Sequence, residues 1–148
     1  MAVTDMPRTT AIPGNRDAPP RPRNDSEVML LRCVIVDDSR RFLDAARGLL
    51  ERQGLLVVGV ASNGGAAVEL VQELEPDVTL LDVDLGGESG FDVARRLHAR
   101  DNPRPVILIS THSEQDYHDL IVASPVLGFL PKAELSAAAI RGLLPHSV

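Results

Sequence analysis

Short apolar runs alternate with amphipathic segments along the chain from residue 30 onward. The apolar runs are rich in branched side chains and predict buried β-strands, while apolar residues spaced three or four positions apart predict helices between them. Each predicted strand is followed by a predicted helix, so the pattern indicates five strand–helix units without an internal repeat. The predicted strands cover residues 30–36, 55–61, 77–83, 106–110 and 126–130.

Several of the predicted helices have recognisable starts and ends. Ser39 is the expected N-cap of the first helix, and Gly54 is its expected end. The third helix is predicted over residues 91–99, and a capping box at residues 113–116 opens the fourth. The apolar faces of the first, second, fourth and fifth helices comprise Phe42, Ala46, Leu49 and Leu50; Ala67, Leu70, Val71 and Leu74; Tyr117, Leu120 and Ile121; and Leu135, Ala139 and Leu143.

The alternation of strands and helices predicts the fold class. Continuous apolar strands between amphipathic helices favour a parallel sheet that is covered on both faces. Right-handed crossovers then give an α/β fold with a doubly wound five-stranded parallel sheet, a flavodoxin-like (βα)5 arrangement of strand order 2-1-3-4-5. Ligands of such sheets bind beyond the carboxyl ends of the strands, so candidate functional residues are expected there.

The first 27 residues differ from the rest of the chain. They are rich in proline and show little apolar periodicity, and their acidic and basic residues balance. Such a segment cannot bury enough apolar surface to offset the entropy of ordering it. We therefore expect residues 1–27 to be a disordered tail and residues 28–146 to form one domain of the 148-residue chain.

Acidic residues follow two predicted strands that are neighbours in the proposed order. Asp37 and Asp38 end the first strand; Asp82 ends the third, and Asp84 stands two residues later. Carboxylates that converge in this way cannot all stay ionised without a cation. Their hard oxygen atoms favour a divalent ion, and we expect Mg²⁺.

A hydroxyl and an ammonium group follow the remaining strands of this edge. Ser110 ends the fourth strand, and Lys132 comes directly after the fifth. A lysine and a hydroxyl facing an acidic metal cluster are what a transferred phosphoryl group requires, and Asp82 is then the nucleophile that forms an acyl phosphate. Each feature alone is common: an Asp-Asp pair is usually a helix cap or a solvated turn, and a single lysine is usually a surface charge. The hypothesis of a phosphoryl-transfer site rests on their combination at these strand ends.

Over about residues 30–144 the sequence resembles the receiver domains of bacterial two-component response regulators. The matching motifs are V-I-V-D-D at 34–38, L-L-D at 80–82, L-I-S at 108–110 and G-F-L-P-K at 128–132. The resemblance implies that Asp82 is the phosphoacceptor. It also implies that Asp37, Asp38 and the backbone carbonyl of Asp84 complete the Mg²⁺ site. Ser110 would then be the switch hydroxyl, Lys132 the ion-pair partner of the phosphoryl group, and Phe129 the switch aromatic.

The resemblance also implies partners and a mode of action. A sensor histidine kinase would donate the phosphoryl group, and the face formed by helix 4, strand 5 and helix 5 would bind a downstream protein or a second copy. The chain is then a signalling switch that assists its own phosphorylation and dephosphorylation, rather than a metabolic enzyme. Asp84 and His112 would border the phosphoryl group and influence the rate of its hydrolysis. For His112, a solvated loop residue is an equally good interpretation.

Three positions depart from the family pattern, and one of them is Ala133, which follows Lys132 where the family commonly has proline. Gly86 stands where the family commonly has proline, four residues after the phosphoacceptor, and a looser loop is expected there. Phe129 replaces the frequent tyrosine, so a hydrogen bond from that ring is absent.

Three alternatives stay open at this point. The motif L-D-V-D-L-G at residues 81–86 also resembles haloacid dehalogenase-type phosphatases, but their acidic pair and lysine follow the nucleophile, whereas Asp37 and Asp38 precede it here. A degenerate receiver that serves only as a binding module would not need the intact acidic, hydroxyl and lysine residues. The chain ends soon after its last predicted helix, which leaves a stand-alone receiver and the isolated receiver of a DNA-binding transcriptional regulator both open.

Composition narrows the function classes. A net charge of −6 without a basic stripe makes direct nucleic-acid binding a poor candidate. No apolar run approaches the roughly 20 residues of a membrane span, and the first residues lack a signal peptide. The single cysteine, Cys33, lies in an apolar run and is expected to be buried, so a cytoplasmic location is the default. Lys132 is the only lysine among fifteen Lys and Arg residues.

Overall fold

The computed structural model describes residues 30–145, which form a five-stranded parallel sheet with helices on both faces. The strands are β1 Arg32–Val36, β2 Leu56–Ala61, β3 Val78–Asp82, β4 Val106–Ser110 and β5 Gly128–Pro131. The helices are α1 Arg40–Arg52, α2 Gly64–Leu74, α3 Gly90–His98, α4 His118–Val122 and α5 Ala137–Leu143, and single 3-10 turns cover Glu114–Tyr117 and Lys132–Glu134.

The strand order across the sheet is β2-β1-β3-β4-β5, and every neighbouring pair is parallel. This confirms the predicted doubly wound α/β fold and its 2-1-3-4-5 order. The carboxyl ends of β1 and β3 are adjacent, because Val36 pairs with Leu81. The disorder predicted for residues 1–27 lies outside the described residues, as do the first two residues and the last residue of the predicted domain.

Two apolar clusters fill the two faces of the sheet. Side chains alternate between the faces along each strand, so Val34 and Val36 join one cluster while Cys33 and Ile35 join the other. Helices α2 and α3 cover the first face, and helices α1 and α5 cover the second. Cys33 is fully buried, and burial raises the pKa of its thiol to about 12, as expected of a small core side chain. No helix within residues 30–145 is long and apolar enough to cross a membrane.

The fourth helix is shorter than its sequence pattern predicts. The predicted capping box is present, since the backbone N–H and the hydroxyl of Ser113 both donate to the Asp116 carboxylate at 3.3 Å. Glu114–Tyr117, which overlap this box, form a 3-10 turn, and the backbone of Tyr117 (φ −124°, ψ 14°) interrupts helical geometry before α4 begins. As a result Tyr117 is only half-buried and Leu120 is 52% exposed, so the predicted apolar face points partly to solvent.

Candidate functional site

Three aspartates meet at the carboxyl edge of the sheet. Asp37 follows β1 and Asp82 ends β3, and both are buried, while Asp38 lies exposed at the rim. One carboxylate oxygen from each of the three lies within 4.8 Å of the others. The convergence expected from the strand order is therefore present, because adjacent parallel strands deliver their last residues to the same edge.

Lys132 reaches this cluster from the opposite side. Its Nζ atom lies 2.5 Å from Asp37 Oδ2 and 2.9 Å from Asp82 Oδ2. The side chain enters from the 3-10 turn that directly follows β5, and it is 15% exposed. Burial alone lowers the pKa of Lys132, but the hydrogen bonds to Asp37 and Asp82 and the charges of these two carboxylates together raise the pKa above its ordinary value.

The Asp82 carboxyl group is harder to ionise than an ordinary aspartate. Burial raises its pKa to about 6 from 3.8, and the adjacent Asp37 carboxylate adds to the rise. The backbone N–H of Asp84, which donates to Asp82 Oδ1 at 3.0 Å, and the Lys132 ammonium both act in the opposite direction. Burial is the largest of these contributions, so the pKa of Asp82 stays raised despite the nearby ammonium group.

The donor set fits a divalent metal ion. Three carboxylates and one ammonium group leave two negative charges, which a hard dication would balance. Asp37 Oδ1 is fixed by the backbone N–H of Ser39 at 2.8 Å, which leaves Oδ2 pointing into the cluster. Apart from the ammonium group, that buried oxygen has no partner among the described residues. Asp37, Asp38 and Asp82 can therefore hold a metal ion.

Ser110 and His112 lie beside the cluster on the β4 side. Ser110 is buried, and its Oγ accepts a hydrogen bond from the backbone N–H of His112 at 3.0 Å. His112 is exposed, and its Nδ1 lies 3.4 Å from the hydroxyl of Tyr117. The hydroxyl group is thus tied to its own loop, and breaking one hydrogen bond releases it.

Comparison with known proteins agrees with this arrangement. The family model described as the response regulator receiver domain matches residues 33–141. The chain belongs to this family. The receiver is 29% identical to the DNA-binding transcriptional activator EvgA of Escherichia coli (strain K12) and 32% identical to the uncharacterized transcriptional regulatory protein YvfU of Bacillus subtilis (strain 168), each over 104 residues. These matches cover 70% of this chain but 51% and 52% of the relatives, so the receiver spans about half their length.

A solved structure supports the same assignment. The signal receiver domain of the response regulator NarL from Mycobacterium tuberculosis superposes with a TM-score of 0.68 at 32% identity, covering 77% of this chain and 96% of that one. The match to receivers disfavours the phosphatase alternative, which rested on one short motif. Residues 33–141 of the chain are therefore a receiver domain of a response regulator.

The loop after Asp82 departs from the family's common sequence at Gly86 and is hydrogen-bonded to neighbouring helices. Gly86 has φ +66°, which proline cannot adopt, and a Cβ atom there would lie 2.7 Å from Asp38 Oδ2. Glu88 ties the loop to neighbouring helices, because its carboxylate accepts from the backbone N–H of Gly64 at 2.9 Å and from Arg96 at 3.1 Å. These two hydrogen bonds connect the loop to α2 and α3, where the loop lacks the proline that is common in the family.

Three aromatic rings, from α3, from the 3-10 turn before α4 and from β5, lie next to one another. Phe129 is buried, and its ring centroid lies 6.2 Å from that of Tyr117, which in turn lies 5.9 Å from Phe91. Sequence reasoning identified Tyr117 only as a helix-face residue and missed its link to His112. It also missed the contact between Phe42 and Lys132, since helical spacing shows which side of a helix is apolar but not which side chain lies above it.

Gly90 packs against the backbone of Asp82 so closely that there is no room for a side chain. A Cβ atom at this position would lie 2.0 Å from the backbone oxygen of Asp82 and 2.7 Å from Val83 Cα, so Gly90→Ala forces the backbone apart. We expect a loss of about 1–3 kcal/mol in the free energy of unfolding, measured by urea titration. Gly142→Ala is the matched control, because nothing lies within 4 Å of its new methyl group. Equal stability of the two variants would contradict the close approach.

Proposed function

We propose that this receiver accepts a phosphoryl group on Asp82 and uses it to switch a protein-interaction surface. The observation that carries the proposal is the buried Asp82 carboxylate, which shares the Lys132 ammonium with Asp37 at hydrogen-bond distance. A nucleophile, a cation and a candidate metal cluster therefore lie within one small volume. Such a set stabilises the charge that builds up on a transferring phosphoryl group.

The chemistry assigns a role to each side chain. An Asp82 oxygen attacks the phosphorus of a phosphohistidine on a sensor histidine kinase; the new O–P bond forms as the N–P bond breaks, and the departing imidazole takes up a proton. Lys132, which lies beside Asp82, would neutralise the phosphoryl oxygens. Asp37, Asp38 and Asp82, with the backbone carbonyl of Asp84, would hold Mg²⁺, which would supply further positive charge. Water attack on the acyl phosphate then resets the switch.

Phosphorylation adds about −1.5 to −2 charges, and Ser110 is the group that responds. Its hydroxyl leaves the His112 N–H and donates to the phosphoryl group, and Phe129 fills the space that it vacates. The change reaches the face of α4, β5 and α5, where Leu120, Val122 and Leu127 are exposed. A coupling of roughly 1–3 kcal/mol is sufficient for such a switch, and we propose a downstream protein or a second copy as its partner.

The remaining functional assignments follow from the same proposal. We infer that the chain acts as a signalling switch and not as a metabolic enzyme, in the cytoplasm. EvgA is a DNA-binding activator, but the match covers only 51% of its length. The net charge of −6 supports the proposal that this chain does not contact nucleic acid directly.

Incubation with acetyl phosphate tests the proposal. In the presence of Mg²⁺ we expect a shifted band on a phosphate-affinity gel, and removal of Mg²⁺ by EDTA should abolish it. Borohydride reduces an aspartyl phosphate to homoserine, so mass spectrometry of the reduced protein should find homoserine at position 82. The absence of a shifted band, or homoserine at another aspartate, would contradict the proposed function. Repeated turnover of a generic phosphate ester would favour a phosphatase instead.

A further inference from the structure

The ammonium group of Lys132 has an aromatic neighbour besides its two carboxylates. Its Nζ lies 4.3 Å from the centroid of the Phe42 ring, well within the roughly 6 Å over which a ring face attracts a cation. The ring belongs to the first turn of α1, which begins at Arg40. Phe42 is therefore a wall of the site and not only part of the apolar face of its helix.

Ser39 links the backbone of Phe42 to one of the carboxylates. Its backbone N–H donates to Asp37 Oδ1 at 2.8 Å, and its hydroxyl accepts from the backbone N–H of Phe42 at 3.2 Å. The start of α1 consequently sets the positions of two groups that contact Lys132. The ring of Phe42 therefore belongs to a helix start that is hydrogen-bonded to the site.

The aromatic contact differs from the ionic contacts because it does not depend on the carboxylates, which would also bind a metal ion and the phosphoryl group. Asp37 and Asp82 are also candidate metal ligands, and Asp82 carries the phosphoryl group in the proposed reaction. An ammonium held by those carboxylates alone would lose its partners as they take on new ones. The ring of Phe42 binds neither a metal ion nor a phosphoryl oxygen, so it can keep Lys132 in place throughout.

We propose that Phe42 is a positioning residue for phosphoryl transfer, whose ring face holds the Lys132 ammonium at the phosphoryl site and keeps water from that side. The inference rests on the function proposed above and adds a residue to its machinery. Packing on α1 does not require a ring here, because Leu43, Ala46 and Leu50 are the buried residues of this helix and Phe42 is only half-buried.

Two matched variants separate the ring face from apolar bulk. Phe42→Leu keeps an apolar side chain but removes the ring, and Phe42→Tyr keeps the ring. With acetyl phosphate as donor, which avoids any effect on kinase docking, we expect Phe42→Leu to lower the phosphorylation rate about three- to tenfold and Phe42→Tyr to stay within about twofold of wild type. Urea titration of both variants verifies that they are folded.

The single lysine allows the contact to be observed directly. Labelling with ¹³C-lysine gives one ε-methylene signal, because Lys132 is the only lysine of the chain. The ring current should shift this signal upfield in the wild type and in Phe42→Tyr, and the signal should return to its ordinary position in Phe42→Leu. This readout does not depend on activity and would not respond to a general loss of packing elsewhere.

The outcomes distinguish this inference from the proposed function. Equal phosphorylation rates for Phe42→Leu and Phe42→Tyr would overturn the positioning role while leaving Asp82 as phosphoacceptor. An unshifted lysine signal in the wild type would overturn it as well, because the contact would not exist in solution. A wild-type protein that accepts no phosphoryl group would overturn the proposed function, and the positioning role with it. A ring-current shift together with the rate pattern given above supports the proposal.

Discussion

Asp82→Asn is expected to abolish phosphorylation and, at the same time, to stabilise the folded protein. The amide of asparagine is not nucleophilic, so no acyl phosphate can form and no shifted band should be seen with acetyl phosphate. The stability gain has a separate cause: burial and the Asp37 carboxylate raise the pKa of Asp82 to about 6. Ionising that group therefore costs more in the folded chain than in the unfolded one, and asparagine avoids this cost.

The sign of the pH dependence follows from the raised pKa. The folded chain holds the Asp82 proton more tightly than the unfolded chain, whose aspartates titrate near 3.8. The stability that this proton contributes is fully present below that value and is lost as the pH rises through about 6. The difference in unfolding free energy between Asp82→Asn and wild type should thus grow between pH 4 and pH 6 and then level off. Urea titrations across this range measure it.

Asp84→Asn is the matched control for that prediction. Asp84 lies in the same loop, but within residues 30–145 its side chain accepts only from the backbone N–H of Gly86, at 3.2 Å, and the amide oxygen of asparagine can do the same. We expect this variant to be phosphorylated, with the stability profile of the wild type. A phosphorylated Asp82→Asn variant, or one whose stability follows the wild-type pH profile, would show that the role assigned to Asp82 is wrong.

The meeting of Asp37 and Asp82 could be predicted because it depends on topology. Apolar strands between amphipathic helices, connected by right-handed crossovers, leave little choice of strand order, and the order brings those two strand ends together. The approach of Lys132 followed in the same way from its place after the last strand. The positions of these residues could be predicted from the strand order alone, and the strand order follows from the periodicity of the sequence.

Features that depend on side-chain packing could not be predicted in this way. Tyr117 and Leu120 have helical spacing, yet the ring of Tyr117 packs towards Phe91 and Phe129, its backbone leaves helical geometry, and Leu120 faces solvent. The contact of Phe42 with Lys132 joins residues that are distant in the sequence. Local patterns report which side of an element is apolar, whereas the neighbour on that side is determined by the tertiary structure.

Lys132→Met is expected to cause a large loss of stability at neutral pH. Removal of the ammonium leaves Asp37, which is fully buried, facing Asp82 without a compensating cation. Breaking a buried ion pair from one side costs about 3–5 kcal/mol, and because the Lys132 side chain is 15% exposed we expect about 3 kcal/mol in urea titrations at pH 7.5. The loss should shrink at pH 5, where the carboxyl groups take up a proton instead of facing each other as anions.

Two further variants identify the cause of that loss. Lys132→Arg keeps the positive charge, so we expect it to retain most of the stability and to accept a phosphoryl group, but to switch poorly because a broad guanidinium group does not replace a compact ammonium. In an Asp82→Asn background the cluster has one anion fewer, so Lys132→Met should cost clearly less than in the wild type. An equal cost in both backgrounds, or a loss that does not change between pH 7.5 and pH 5, would mean that Lys132 stabilises the fold by packing and that its charge is not what the carboxylates require.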